Sequence, residues 1–277
     1  MKILITGQPK SGKSTMLISV LKDIDAKKGF VSKEVSQNGR RTGFMVEDTS
    51  GNTAVLAQID RLSSKKVGHY YVQPNVLDGF VKSLSTFHAN ELLYIDEIGQ
   101  MQLYSEKFKS LLKKYLDASN DFIGTITIVY HNELTQQILA RPDILLFNIS
   151  VAKRKAVSEC IQSSLQNRRQ FNDLPQNLQS HTLKYARQYL ASGSYISFIK
   201  LFHQALKYFL NNKVQARSNI SFLVKGNTSD HELIFISNHD WGCDCPLSNG
   251  QKPFAKRGDC SHVQAVRLWI KQNKIET

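Results

Sequence analysis

Eight residues near the N-terminus have the types and spacing needed to hold a polyphosphate. Gly7-Gln8-Pro9-Lys10-Ser11-Gly12-Lys13-Ser14 is a G-x-x-x-x-G-K-S run, followed by Thr15. Its glycines allow a tight loop whose N–H groups converge on an anion. A helix starting near Gly12 adds the positive end of its dipole. In this frame Lys13 reaches the β- and γ-phosphates, and the Ser14 hydroxyl ligates Mg²⁺. A second pair, Asp96-Glu97, closes the run Glu91-Leu92-Leu93-Tyr94-Ile95. Carboxylates ending a buried parallel strand stand where open α/β sheets bind ligands. Asp96 is then the cation holder, and Glu97 orients or deprotonates an attacking water. Read without the loop, the same pair is a solvated strand end.

A third constellation lies near the C-terminus. Cys243-Asp244-Cys245 and Cys260-Ser261-His262 form a C-x-C…C-x-H set, separated by 14 residues rich in Gly, Pro and Lys. Zn²⁺ takes four tetrahedral N or S ligands, and three thiols with one imidazole supply them. His239 is a further nearby candidate. Cys160 stands alone on an apolar helix face and reads as a core residue.

These groups need elements to position them. Lys2 to Thr6 is an apolar strand before the loop, and Thr15 to Leu21 a helix after it. A β-rich stretch follows, with Gly43–Asp48 and Thr53–Ala57 as strands and turns at Asn38-Gly39 and Thr49–Asn52. His69–Val72 is a short strand, and Asn75 to Leu84 and Glu106 to Leu116 are helices. Phe122–Val129 and Ile144–Ile149 are buried strands on either side of a short helix, Leu134 to Leu139. Alternating strands and helices imply a parallel sheet flanked by helices. From Ala156 the pattern turns helical, with a break at Asp173–Asn177 and a stop at Gly193. Asn219–Val224 and Glu232–Ser237 read as a hairpin around Gly226-Asn227, directly before the first cysteine pair. The helix after Cys260 carries Val263, Val266, Leu268 and Ile270.

The 277 residues are 41% hydrophobic and 21% charged, a globular composition with room for two domains. No apolar run approaches the roughly 18–20 residues of a membrane span, and the first residues lack the n- and h-regions of a signal peptide. A cytoplasmic location is expected, with no membrane partner. The net charge of +13 is uneven: residues 1–150 carry 18 Lys+Arg against 15 Asp+Glu, residues 151–277 carry 18 against 8. That excess favours an anionic partner for the C-terminal half, DNA or RNA, although a merely soluble basic surface has the same composition. Lys252, Lys256, Arg257, Arg267 and Lys271 are expected near one another, beside Trp241 and Trp269.

Residues 1 to about 155 resemble the thermophilic-type nucleoside-triphosphatase family, which includes the cancer-related nucleoside-triphosphatases. The marks, in order, are the phosphate loop, Glu34 with Gly39-x-Arg41-x-Gly43-Phe44, Gly51 before Leu56-Ala57, and Val67-Gly68-x-Tyr70-x-Val72. Asp96-Glu97-Ile98-Gly99-x-Met101-x-Leu103-x-Ser105, Thr125-Ile126, Arg141-x-Asp143 and Arg154 follow. The resemblance implies Mg²⁺-dependent hydrolysis of ATP, GTP and other NTPs, slow and broad in base. Lys10, Ser36, Gln102 and Lys153 depart from the usual Gly, Arg, Glu and Asn. Arg41 and Arg154 are each a candidate for transition-state charge near the γ-phosphate, or an ordinary surface arginine. Residues 220–272 look like a SWIM-type zinc finger, which implies zinc and a nucleic-acid or protein partner.

The expected fold is therefore α/β. It comprises a P-loop NTPase domain (1–155) with a small antiparallel insert, a helical connecting segment (156–215) and a zinc-stapled ββα SWIM module (216–277). The leading activity is NTP hydrolysis. The alternatives are a P-loop nucleoside or small-molecule kinase, and a nucleic-acid-binding module with an NTP-dependent switch.

Overall fold

In the computed structural model the chain divides into two compact units, Met1–Arg154 and Lys155–Thr277. The structure describes residues 1–130, 132–226, 228–237, 240–245 and 260–275. His239, Asn227, Lys252, Lys256 and Arg257 lie outside the described residues.

The N-terminal unit is built on one nine-stranded sheet. Its elements are β1 (Lys2–Thr6), α1 (Lys13–Leu21), β2 (Lys27–Gln37), β3 (Arg40–Asp48), β4 (Thr53–Gln58), β5 (Lys65–Val67), β6 (Tyr70–Val72) and α2 (Asn75–Leu84). They continue with β7 (Leu92–Ile98), α3 (Glu106–Asp117), β8 (Phe122–Ile126), α4 (Glu133–Ala140) and β9 (Ile144–Asn148). The strand order is β5-β6-β4-β3-β2-β7-β8-β1-β9. From β2 to β9 every pairing is parallel; from β2 to β5 every pairing is antiparallel. The sheet is thus mixed, and β2 belongs to both halves.

Sequence explains this division. β1 and β8 are buried along their whole length, as strands covered on both faces must be. The β2–β3 hairpin turns at Asn38 and Gly39, both at positive φ (50° and 74°), the geometry an Asn-Gly pair supplies. β2 is 11 residues long because its first half pairs with β7 and its second half runs on past Asp96, the last residue in register. Helix α3 begins at Ser105, whose hydroxyl accepts from Phe108 N at 3.0 Å and donates to Asp78 on α2 at 2.9 Å. It packs Phe108, Leu111, Leu112 and Tyr115 against Phe30, Leu93 and Phe122 in the core. Lys2 is buried and donates to the carbonyls of Tyr115, Ala118 and Asn120, so the first strand holds the end of α3. Burial pushes its pKa down to about 8.

The C-terminal unit consists of α5 (Arg154–Gln166, which starts at the boundary), α6 (Arg168–Asn172), α7 (Gln176–Ser192), α8 (Tyr195–Lys200), α9 (Leu206–Leu210), β10 (Val214–Ala216), β11 (Ser221–Val224), β12 (His231–Ser237), β13 (Asp240–Cys243) and α10 (Ser261–Asn273). The four strands form an antiparallel sheet in sequence order. Gly193 closes α7 at φ 74°, accepting the left-handed turn that ends many helices. Apolar spacing from Ile196 to Phe209 predicts one helix; the structure joins α8 and α9 through a π-helical stretch, Leu201–Ala205. That stretch is where Phe202 enters the core against Phe171 and Phe198. Among the described residues no helix is long and apolar enough to cross a membrane.

Candidate active site and a cysteine–histidine cluster

The loop from Gly7 to Ser14 connects the C-terminal end of β1 to the start of α1. Gly7 has φ 151° and no room for a side chain: a Cβ there would lie 2.4 Å from the Ile149 carbonyl oxygen. Gly12 has φ 97°. Lys10, where the resembled family usually has glycine, has φ 65° and carries a side chain in the left-handed region. Lys13 Nζ turns back over the loop to the Gly7 and Gln8 carbonyls, at 3.3 and 3.5 Å. Gln8, Pro9, Lys10 and Thr15 are exposed, while Ser11 and Lys13 are buried.

Asp96 comes to this loop from the end of β7. It is fully buried, and its Oδ1 accepts from Ser14 Oγ at 3.1 Å and from Thr125 Oγ1. Its Oδ2 is buried without a hydrogen-bond partner. Burial raises the Asp96 pKa against the opposing effect of Thr125, Ser14 and Lys13. Glu97, half-buried, is also raised by burial, and Lys13 lowers it in turn. Lys13, Ser14, Asp96 and Glu97 therefore share one electrostatic site. An orphaned carboxylate oxygen beside a serine hydroxyl fits a hard divalent cation, which takes oxygen ligands. Mg²⁺ held by Ser14 and Asp96 would supply positive charge to a polyphosphate there.

Two contributors carry no role in the motif reading. Thr125, at the end of β8, donates to Asp96; Ser32 on β2 donates to the Asp96 carbonyl at 2.7 Å and accepts from Gln102 Nε2 at 3.0 Å. Gln102 thus fills its position with a neutral hydrogen bond. The two candidate arginines part company. Arg154 Nη2 donates to the Ser11 carbonyl, and its guanidinium would lie 3.3 Å from a Cβ at Gly12. Arg41 is held in the β2–β3 hairpin by Glu34 and Tyr70, with its guanidinium 5.1 Å from the centre of the Phe44 ring.

In the C-terminal unit, β13 ends at Cys243, and α10 begins after Cys260, whose Sγ accepts from Val263 N. Cys243, Cys245, Cys260 and His262 are all buried, with one donor atom from each lying within 4.8 Å of the others. All four cysteines of the chain are free thiols. Hydrogen bonds with Cys243 and Cys260 hold the Cys245 thiol below its usual range, and hydrogen bonds with Cys245 and Cys260 push Cys243 above it. A soft, compact N/S₃ donor set fits Zn²⁺. The His262 ring stacks on Tyr208, 5.2 Å away, and meets the tilted ring of His231 at 4.2 Å. His231 Nδ1 lies 3.1 Å from Asp244, the residue between the first two cysteines. Trp241 is buried against Phe222 and Phe235, and Trp269 packs on Phe222. Arg267 instead lies over Tyr185.

The NTPase family model matches residues 2–162. The nucleoside-triphosphatase THEP1 of Thermotoga sp. strain RQ2 is 34% identical over 167 residues, 60% of this chain and 95% of that protein. THEP1 of Sulfolobus acidocaldarius is 34% identical over 158 residues, 53% of this chain and 91% of that protein. The crystal structure of THEP1 from Aquifex aeolicus superposes with a TM-score of 0.54 at 29% identity, over 60% of this chain and 99% of that one. The solution structure of a human cancer-related nucleoside triphosphatase gives 0.52 at 26% identity, over 60% and 97%.

Proposed function

The chain belongs to the NTPase family and is a nucleoside-triphosphate phosphatase, and from that premise we propose that it hydrolyses ATP, GTP and other NTPs with Mg²⁺. The observation that supports the metal most directly is the buried, unpartnered Asp96 Oδ2 beside Ser14. Held by Ser14 and Asp96, Mg²⁺ would supply positive charge to the polyphosphate. The loop N–H groups between Gly7 and Thr15, all but Pro9, bind and orient the phosphates, and Lys13 turns from the loop carbonyls to the β- and γ-phosphate oxygens. Thr125 and Ser32 hold Asp96 in place. Glu97, its pKa raised by burial, takes the proton of the attacking water. Arg154, anchored on the loop, adds positive charge beside it.

The C-terminal unit, in this reading, carries a zinc-stapled module of the SWIM type. Cys243, Cys245, Cys260 and His262 would hold Zn²⁺, and His231, which meets Asp244 and the His262 ring, would help to orient them. The unit recognises a partner whose binding is coupled to hydrolysis. The net charge of residues 151–277 favours nucleic acid over an acidic-poor protein surface.

The test pairs two variants. Glu97→Gln keeps nucleotide and Mg²⁺ binding but slows hydrolysis by about 10²-fold or more. Asp96→Asn weakens the Mg²⁺ dependence instead. Products are followed with water and with candidate nucleoside acceptors. Phosphate transfer to an acceptor, or a Glu97→Gln enzyme at the parent rate, would overturn this assignment of roles.

A further inference from the structure

Strand β7 ends at Ile98, and the chain turns at Gly99 toward one 3₁₀ turn, Gln102–Tyr104. The backbone on both sides of this bend is held. The Ile98 carbonyl accepts from Thr127 N at 3.2 Å, and the Gly99 carbonyl accepts from Leu103 N at 3.0 Å. Ile98, Gly99 and Gln102 are all buried. Gly99 is not among the described glycines at positive φ, so no left-handed backbone calls for glycine here. What the position requires is the absence of a Cβ.

The reason lies in what surrounds that space. A Cβ at Gly99 would lie 2.9 Å from Glu97 Oε1, 3.0 Å from Glu97 Cγ and 3.1 Å from Gln102 Oε1. The Glu97 side chain is thus folded along its own strand end, over Gly99, and Gln102 borders the same space. Gln102 is fixed in turn. Its Nε2 donates to Ser32 Oγ at 3.0 Å, and Ser32 donates to the Asp96 carbonyl at 2.7 Å. The wall beside Glu97 is therefore tied back to the residue before it. A glutamate side chain has much rotamer freedom to lose when a reaction needs it in one place. A seat that restricts it beforehand leaves less to be lost at the reacting step.

We propose that Gly99 is a positioning residue for hydrolysis: its missing Cβ, with Gln102 as the bordering wall, seats the Glu97 carboxylate for the attacking water. The inference deepens the role given to Glu97 above and rests on it. Alanine at this position separates the seat from the fold. The backbone around Gly99 is pinned by its hydrogen bonds, whereas the nearest atoms, Glu97 Oε1 and Cγ, belong to a flexible side chain. The carboxylate is what yields. Restoring an ordinary contact of about 3.5 Å moves it by about half an ångström. A misplacement of about 1 Å can cost about 10²-fold in rate, so about tenfold is expected here.

The experiment measures single-turnover ATP hydrolysis, ATP affinity and Tm of the full chain with Gly99→Ala, alone and in two backgrounds. Alone, Gly99→Ala should slow hydrolysis about tenfold and leave the ATP Kd within about twofold of the parent. In Glu97→Gln, which has no base to displace, it should leave the residual rate unchanged. In Glu97→Ala, which removes the two Glu97 atoms that the new Cβ meets, any loss of Tm caused by Gly99→Ala should vanish. Gly99→Ala at the parent rate, with Glu97→Gln slow, overturns the seat and leaves Glu97 as the base. Glu97→Gln at the parent rate overturns both. An equal fractional slowing in the parent and in Glu97→Gln, or a loss of Tm that persists in Glu97→Ala, makes Gly99 a packing requirement of the turn and overturns the proposal.

Discussion

Arg154 Nη2 donates to the carbonyl oxygen of Ser11 at 3.0 Å, joining residues 143 positions apart in the chain. The bond holds a guanidinium against the Gly7–Ser14 loop at Gly12.

Arg154→Ala should lower single-turnover hydrolysis by about 10³-fold with a much smaller change in nucleotide affinity. Arg154→Lys should recover little, because a point charge lacks the planar fork that reaches carbonyl and phosphate together. A loss of less than about threefold in kcat would reduce Arg154 to a strut of the loop.

Lys10 should respond in the opposite direction. Its φ of 65° costs about 1–2 kcal/mol for a residue with a Cβ. Glycine removes that cost but loses about 0.5–1 kcal/mol in chain entropy. Lys10→Gly is therefore expected to leave the N-terminal unit unchanged or up to about 1.5 kcal/mol more stable, read by calorimetry without nucleotide. Nucleotide affinity should fall, since a cation leaves the loop. Destabilisation would mean that the Lys10 side chain does more than tolerate its backbone.

The meeting of the Gly7–Ser14 loop with the Asp96-Glu97 pair was legible because each part is contiguous. Gly7 to Ser14 is a single run, and Asp96-Glu97 ends an apolar strand. The pieces that complete the site are scattered: Thr125 and Ser32 reach Asp96 only because β8 and β2 both flank β7. Strand order is a long-range property that local periodicity does not carry. The same limit applies to β5 and β13, short strands whose partners, not residues, define them. The cysteine spacing announced the Cys243, Cys245, Cys260 and His262 cluster, but not His231, 31 positions before His262 and in contact with its ring. Tyr185 beside Arg267 was equally hidden, because packing of α7 on α10 creates the neighbourhood. Trp241, expected on a basic surface, is core; an aromatic residue before a buried cysteine in β13 has only the sheet interior to enter.

Metal removal tests the cysteine–histidine cluster. The purified chain should carry about one equivalent of zinc, and a strong chelator should loosen β13 and the first turn of α10. Both tryptophans lie in the C-terminal unit, so their fluorescence reports that loosening, while NTP hydrolysis reports the other unit. Cys243→Ser should mimic the chelator. Less than about half an equivalent of zinc would contradict the site.

His181 makes stability depend on pH. Its pKa falls from 6.5 in the unfolded chain to about 4 in the fold, by burial and the neighbouring cations Lys271, Lys184 and Arg267. The unfolded chain therefore binds the proton more readily. Stability is full above pH 6.5 and is lost as pH falls toward about 4. Tryptophan-detected melting across this window should show a fall in Tm that His181→Gln reduces; parallel curves for parent and variant would remove His181 from the account.

Helix α10 has one further consequence. Its start holds Cys260 and His262, its middle holds Gln264 against Tyr189 and Ser197, and Arg267 and Lys271 follow within about 16 Å of the first cysteine. The cysteine–histidine cluster and these two cations thus share one rigid rod. Whatever orders its first turn also positions its later ones. By reciprocity, any factor by which a metal at the first turn tightened a partner held at the later turns would be the factor by which that partner tightened the metal.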